Sequence, residues 1–243
     1  MIDFGFARGD VIVVTGAASG IGRSIALRAA EVGLSVAAWD INAAGVKDTV
    51  ETIGGAVPAM ALVADVDDQG AVQDALARSS ELGPLRHLAN VAGPPASAPL
   101  PYDDTIRMSL GSMRRVTTAW LDRGVPPGAS LVNMASIAGN LVGTAPDWYS
   151  SAKAGIVGFT RHLAANRSGE VRANAVGPGM TDTPRLAGYA ASPRGHQSLS
   201  RIPLKRMATP DDIGWPTLFL LSPLASYVNG AYLVVDGGWM VSQ

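Results

Sequence analysis

"VIVVTGAASGIG", residues 11–22, decides the fold. It opens on a β-branched run with no alternation, which reads as a strand buried on both faces. The run ends in Gly16, which allows a tight turn. Gly20 and Gly22 let main chain approach a pyrophosphate and let the next helix pack on the sheet. That helix, Ile21 to Val32 by apolar spacing, presents free N–H groups and a favourable dipole to an anion. The spacing is G-x-x-x-G-x-G rather than G-x-G-x-x-G. A glycine-rich turn can also hold no ligand. The strand before it and the helix after it favour a dinucleotide.

The same alternation continues along the chain. Residues 34–40, 59–66, 85–93, 129–136, 171–179 and 231–238 read as further strands. Helical spacing falls at Ala43–Ile53, Gln69–Ser80, Asp104–Arg123 and across "DWYSSAKAGIVGFTR" (147–161). Strand and helix in turn predict an α/β fold, one Rossmann-type domain over residues 1–243. Its doubly wound parallel sheet has seven strands and helices on both faces. From about 180 to 210 the pattern gives way to Gly, Pro, Ser and Arg, as a substrate lid would.

A chain of 243 residues with 47% hydrophobic content can bury one α/β core of this kind. Lys and Arg total 19 against 20 Asp and Glu, and no basic block stands out, so nucleic acid is not an expected partner. Cysteine is absent, which excludes disulfides and thiolate metal sites without fixing the compartment. The start, "MIDFGFARGDVIVVTG", carries Asp3 early and resembles neither a signal peptide nor a membrane span. No later run reaches the ~18 apolar residues of a span. The expectation is a cytoplasmic protein without a membrane partner.

Asp40 closes the second strand, 18 residues after Gly22. A carboxylate there accepts hydrogen bonds from both adenosine ribose hydroxyls and repels a 2′-phosphate. No Lys or Arg lies between Thr15 and Ile21 or directly after Asp40, and the nearest cation, Arg23, sits inside the helix. NAD is therefore expected over NADP.

Within residues 147–161, Tyr149 and Lys153 are one helical turn apart and share a face. Small residues surround them: Ser150, Ser151, Ala152, Ala154 and Gly155. A phenol near pKa 10 is a poor base at pH 7, but an adjacent ammonium and a cationic nicotinamide both favour phenolate. A fall of two or three units, at ~1.4 kcal/mol each, brings Tyr149 into working range. The same phenol can protonate a ketone in reverse.

Taken together, these segments resemble the short-chain dehydrogenase/reductase family over essentially the whole chain. The resemblance rests on "TGAASGIG" (15–22), "NVAG" (90–93), Ser136, "YSSAK" (149–153), "NAVGPG" (174–179) and "VDGGW" (235–239). The Tyr-x-x-x-Lys spacing separates it from the family's enoyl reductases. The resemblance implies Tyr149 as general acid/base, Lys153 as its partner and ribose ligand, and Ser136 as the hydroxyl that orients the carbonyl. It implies Asp65, followed by Val66, on the adenine amino group, and Asn90, Ala92 and Gly93 along the cofactor wall. Pro178 and Gly179 would pass along the nicotinamide. Thr181 or Thr183 would reach the carboxamide or diphosphate, Thr183 matching better. Ser19 and Ile21 in the glycine turn and Ile41 after Asp40 join the cofactor site by the same match.

The sequence departs from the family at Ser109 in "MSLGS" (108–112), where the family carries an Asn that holds a water near the lysine. Since any residue has a backbone carbonyl, Ser109 is kept among the catalytic positions, with a weakened proton relay. The stretch 94–104 is short and holds four prolines. Ser136 is no hydrolytic nucleophile, because His87, His162 and His196 supply no activating base in the required arrangement. No His, Asp and Glu cluster has ligand spacing, so no metal is expected. Pro94, Pro95, Ile137, Ala138, Leu141, Val142, Trp148 and the lid from Met180 to about Ile202 are the expected cleft walls. Being mostly apolar, they suit a hydrophobic or cyclic secondary alcohol or its ketone. The lid arginines Arg185, Arg194 and Arg201 read as solvated charges, the alternative being that they meet an acidic group of the substrate. A 3-oxoacyl reductase, which more often uses NADPH, and a non-catalytic dinucleotide sensor are the alternatives. Surplus apolar residues on the helices at 104–123 and 149–165, including Trp120 and Phe159, predict a homo-oligomer. The family resemblance favours a tetramer.

Overall fold

The computed structural model describes residues 3–141 and 146–242. Seven parallel strands form one sheet in the order β3-β2-β1-β4-β5-β6-β7. The strands are β1 (Val11–Thr15), β2 (Ser35–Asp40), β3 (Ala59–Val63), β4 (Leu85–Asn90), β5 (Ala129–Met134), β6 (Val171–Pro178) and β7 (Tyr232–Val235). Successive side chains enter opposite layers, as strand geometry requires. Ile12 and Val14 join one core with Val36 and Ala38, while Val11 and Val13 join the other with Ala37 and Trp39. Apolar residues of α1 (Gly20–Glu31) and α2 (Ala43–Ile53) cover the first face. Those of α3 (Gln69–Ser79) cover the second.

The helix expected at Asp104–Arg123 is broken into pieces. It begins as α4 (Tyr102–Ile106), passes through a π-helical turn (Arg107–Gly111) and continues as α5 (Ser112–Asp122). The π turn is centred on Ser109. After it, α6 (Asp147–Asn166) carries Tyr149 and Lys153 in its first two turns. The lid is more regular than its composition suggests: α7 (Pro193–Arg201) is capped by the Ser192 side chain on Gly195 N–H. One further helix, α8 (Pro210–Leu221), lies where periodicity assigned none. Pro216 inside it hides the pattern, yet Thr209 and Asp212 form a complete capping box and Pro210 sits in the first turn. Arg172 of β6 then closes the far end of α8 by donating to the carbonyls of Leu220, Leu221 and Ser222.

Trp120 is not a surface residue. It is 1% exposed and donates its indole N–H to Leu85 O at 2.9 Å. Phe159 packs half-buried against the same core. Neither supplies the surplus apolar face read from the sequence. Among the described residues, no helix is long and apolar enough to cross a membrane and no group of three potential ligands could hold a metal ion.

Candidate active site

The strand order reverses between β1 and β4, and a parallel sheet opens a crevice at the carboxyl ends of such a pair. A cleft of about 640 Å³ lies there. Thr15, at the end of β1, is buried and accepts hydrogen bonds from Val91 N and Ala92 N at 3.0 and 3.1 Å. It therefore pins the loop after β4 against the glycine turn. Gly22 has no room for a side chain, since a Cβ would overlap the Gly16 carbonyl. Ser19 caps α1 without a side-chain bond, which leaves first-turn N–H groups facing the cleft. Asp40 is held by Ala18 N at 3.0 Å and Asn42 N at 2.9 Å. Arg23, the nearest cation, is bound to Asp48 and Thr52. A glycine turn, unpaired helix N–H groups and a fixed carboxylate fit an adenine dinucleotide.

Ser136, Tyr149 and Lys153 line the same cleft. Ser136 Oγ accepts from Ala138 N at 3.1 Å, and the Trp148 ring meets the Tyr149 ring edge-on at 5.4 Å. Lys153 Nζ donates to Met134 O at 2.9 Å and lies 5.6 Å from the centre of the Tyr149 ring. The walls of the cleft desolvate both groups. Burial pushes the phenol up from its ordinary value, with the Ser136 hydroxyl and the charge of Arg185 acting against it. Burial, then Arg185, takes the ammonium down to about 7. The direction for Tyr149 is opposite to the expected fall, because burial outweighs the Ser136 hydroxyl and the charge of Arg185.

The Ser136 carbonyl is braced from two sides. Tyr232 of β7 donates its hydroxyl at 2.6 Å and Asn140 donates its amide at 3.1 Å. Asn140 also reaches Lys153 O at 3.1 Å, which ties the serine loop to α6. The Tyr232 ring passes over β6 at Gly177, where any Cβ would collide with it. Neither brace was read from the sequence. Gly177 inside a buried strand was the available signal, because an interior glycine marks close approach of another group.

Of the expected cofactor positions, Gly16, Ser19, Gly20, Ile21, Gly22, Asp40, Pro178, Gly179, Thr181 and Thr183 line the cleft. Ile41, Asp65, Val66, Asn90, Ala92 and Gly93 do not. Ile41 is 70% exposed, and Asp65 accepts from Asp67 N at 2.9 Å. The Asn90 amide turns into the protein, donating to Thr117 and Asn133 at 2.9 Å, so its side chain ties β4 to α5 and β5. Ser109 is buried, finds no side-chain partner among the described residues, and sits under Gly93. Its carbonyl accepts from Ser112 Oγ at 3.2 Å, and it does not line the cleft. The expected walls also shift. Ile137, Ala138, Trp148, Met180 and Ile202 are buried in the interior. Val142 lies outside the described residues. Pro95 lines the cleft as expected, with Leu186, Ala187 and Tyr189 from the expected lid and with Ala96 beside it. His87 is buried against Ser130, and His162 is bonded to Asn166 on α6.

A family model described as Enoyl-(Acyl carrier protein) reductase matches residues 16–240. The D-threitol dehydrogenase of Mycolicibacterium smegmatis is 36% identical over 256 residues, spanning 99% of this chain and 96% of the relative. The chain belongs to the short-chain dehydrogenase/reductase family. The cis-4-hydroxycyclohexanecarboxylate dehydrogenase of Sinomonas cyclohexanicum is 35% identical, over 94% of this chain and 96% of the relative. A short chain dehydrogenase from Burkholderia cenocepacia, solved in complex with NADP, superposes with a TM-score of 0.88 at 29% identity. That match covers 96% of this chain and 98% of the other. The enzyme is an NAD(P)-dependent oxidoreductase of alcohols and ketones.

Proposed function

We propose that the enzyme interconverts a hydrophobic or cyclic secondary alcohol and its ketone using NAD(H). The reading is carried by Ser136, Tyr149 and Lys153 facing one cleft whose outer wall is Pro95, Leu186, Ala187 and Tyr189. A bound nicotinamide supplies or accepts the hydride at the carbinol carbon. Ser136 orients the substrate oxygen. Tyr149 gives that oxygen a proton during reduction and takes it during oxidation. Lys153 is held beside the phenol by Met134 O, and in its charged form it eases proton loss. Asp40, fixed by two backbone N–H groups, supports NAD over NADP. A cyclic alcohol agrees with the relative that oxidises a hydroxycyclohexane ring. The chain is further inferred to form a homo-oligomer, a tetramer by its family.

Titration with NADH and with NADPH, followed by nicotinamide fluorescence, tests the cofactor reading. Tighter NADH binding is expected, and a clear NADPH preference would remove the Asp40 argument and favour a 3-oxoacyl reductase. Cyclic and aryl ketones are then added to the better complex. Oxidation of the dinucleotide is expected, with Tyr149→Phe slower by roughly 10³-fold. Binding without turnover on any ketone would favour the non-catalytic sensor.

A further inference from the structure

Arg185 read as a solvated lid charge from the sequence. The structure leaves it exposed, as that reading expects, and also places it in the lining of the cleft. It lies on the short 3₁₀ turn Pro184–Leu186, and its Nη2 donates to Gly93 O at 2.6 Å. It thus reaches from the segment after β6 to the loop after β4, and lines the cavity with Tyr149 and Lys153. Its charge acts on both of those groups. Asp40 is the only carboxylate lining this cleft among the described residues, and it is engaged beside Ala18 at the end of β2. The reacting end therefore carries two cationic side chains and no anion.

Several arginines elsewhere in the molecule have partners, and Arg185 differs from the unpaired ones in lining the cleft. Arg23, Arg28, Arg86, Arg107 and Arg115 each meet an aspartate, and the buried Arg172 is satisfied by carbonyls. Arg185 has no carboxylate partner among the described residues and makes one hydrogen bond. A guanidinium has five N–H donors in a planar fork that matches carboxylate and sulfonate oxygens. Its flanking wall residues Leu186, Ala187 and Tyr189 suit an apolar ring rather than water.

We propose that Arg185 is an anion subsite that binds a carboxylate or sulfonate carried on the ring of the substrate. This rests on the alcohol and ketone reading given above, and narrows it to acidic ring alcohols. An anion seated there would relieve the repulsion between Arg185 and Lys153. It would also fix the far end of the ring while Ser136 and Tyr149 hold the reacting oxygen. The same chemistry has a second source in the cofactor diphosphate, and the test separates the two.

The complex with the better-binding dinucleotide is titrated with cyclohexanecarboxylate and with the neutral isostere cyclohexanecarboxamide, neither of which can react. The acid is expected to bind at least ~10-fold more tightly, about 1.4 kcal/mol. In Arg185→Gln the ratio should fall to about one, and Arg185→Lys should keep part of it by charge without the fork. Equal binding of acid and amide to the unaltered enzyme overturns the proposal, as does a preference that survives Arg185→Gln. Loss of dinucleotide affinity in Arg185→Gln with the acid-to-amide ratio intact assigns the residue to the diphosphate, and also overturns it. Ketone turnover is read separately. An Arg185-dependent preference without turnover keeps the subsite and sinks the activity; turnover without the preference does the reverse.

Discussion

At the dinucleotide end of the cleft the contacts come from main chain and from side chains set down by their own strand ends. At the reacting end they come from four separate stretches: the loop after β5, the first turns of α6, the lid, and β7 reaching across β6. The first end is mostly short-range in sequence, being built around residues 16–22 and Asp40. The second exists only once distant segments meet. Tyr232 and Ser136 illustrate this, being joined at 2.6 Å across 96 residues of chain. One end tolerates no added atoms in its turn; the other is a set of side chains that can each be altered and measured.

The comparison is broken most severely by Gly22→Ala. The new methyl would overlap the Gly16 carbonyl, and backbone cannot give as a side chain can. A stability loss of about 1–3 kcal/mol is expected by chemical denaturation. Dinucleotide affinity should fall by at least ~10-fold, read by fluorescence titration. A variant as stable and as tight-binding as the parent would remove the distinction between the two ends.

Lys153→Met gives the next effect, and its sign follows from the ammonium being held to about 7 against an ordinary 10.5. Above 10.5 the lysine is neutral in both folded and unfolded chains and costs nothing. As pH falls from 10.5 to 7 the unfolded chain gains the proton first, so a penalty on folding accumulates and is then constant below 7. Lys153→Met should therefore melt higher than the parent at pH 6, with the gap closing toward pH 10, while turnover collapses. A gap independent of pH would mean that Lys153 is not desolvated.

Tyr232→Phe sharpens the comparison by the smallest step. It removes one brace from the Ser136 carbonyl while Asn140 keeps the other. A loss of about 3–10-fold in kcat is expected, near 1 kcal/mol, with dinucleotide affinity preserved. Equal losses in turnover and in dinucleotide binding would show a general disturbance of the sheet rather than a misplaced serine. Gly177→Ala should cost more, because its methyl displaces the ring itself.

Legibility followed the range of the interactions. The helix α2 starts and stops where its periodicity places it, and the left-handed C-cap at Gly54 that ends it is a local device. In contrast, α8 went unread because Pro216 breaks the pattern that burial against α1 and the sheet sustains. Asn90, read as cofactor wall, turns inward because Thr117 and Asn133 offer it buried partners that no spacing rule reveals. Trp120, read as surplus surface, is core because the carbonyl of Leu85 lies opposite its indole.

By itself the sequence determined the parallel sheet, the order of its elements, the glycine turn, and the shared face of Tyr149 and Lys153. These depend on period, turn chemistry and residues one helical turn apart. Only the tertiary structure decided that burial raises the phenol and lowers the ammonium, that Tyr232 reaches Ser136, and that Arg185 enters the cleft. Desolvation and Coulomb interaction depend on distance in space, and that distance is set when remote segments pack.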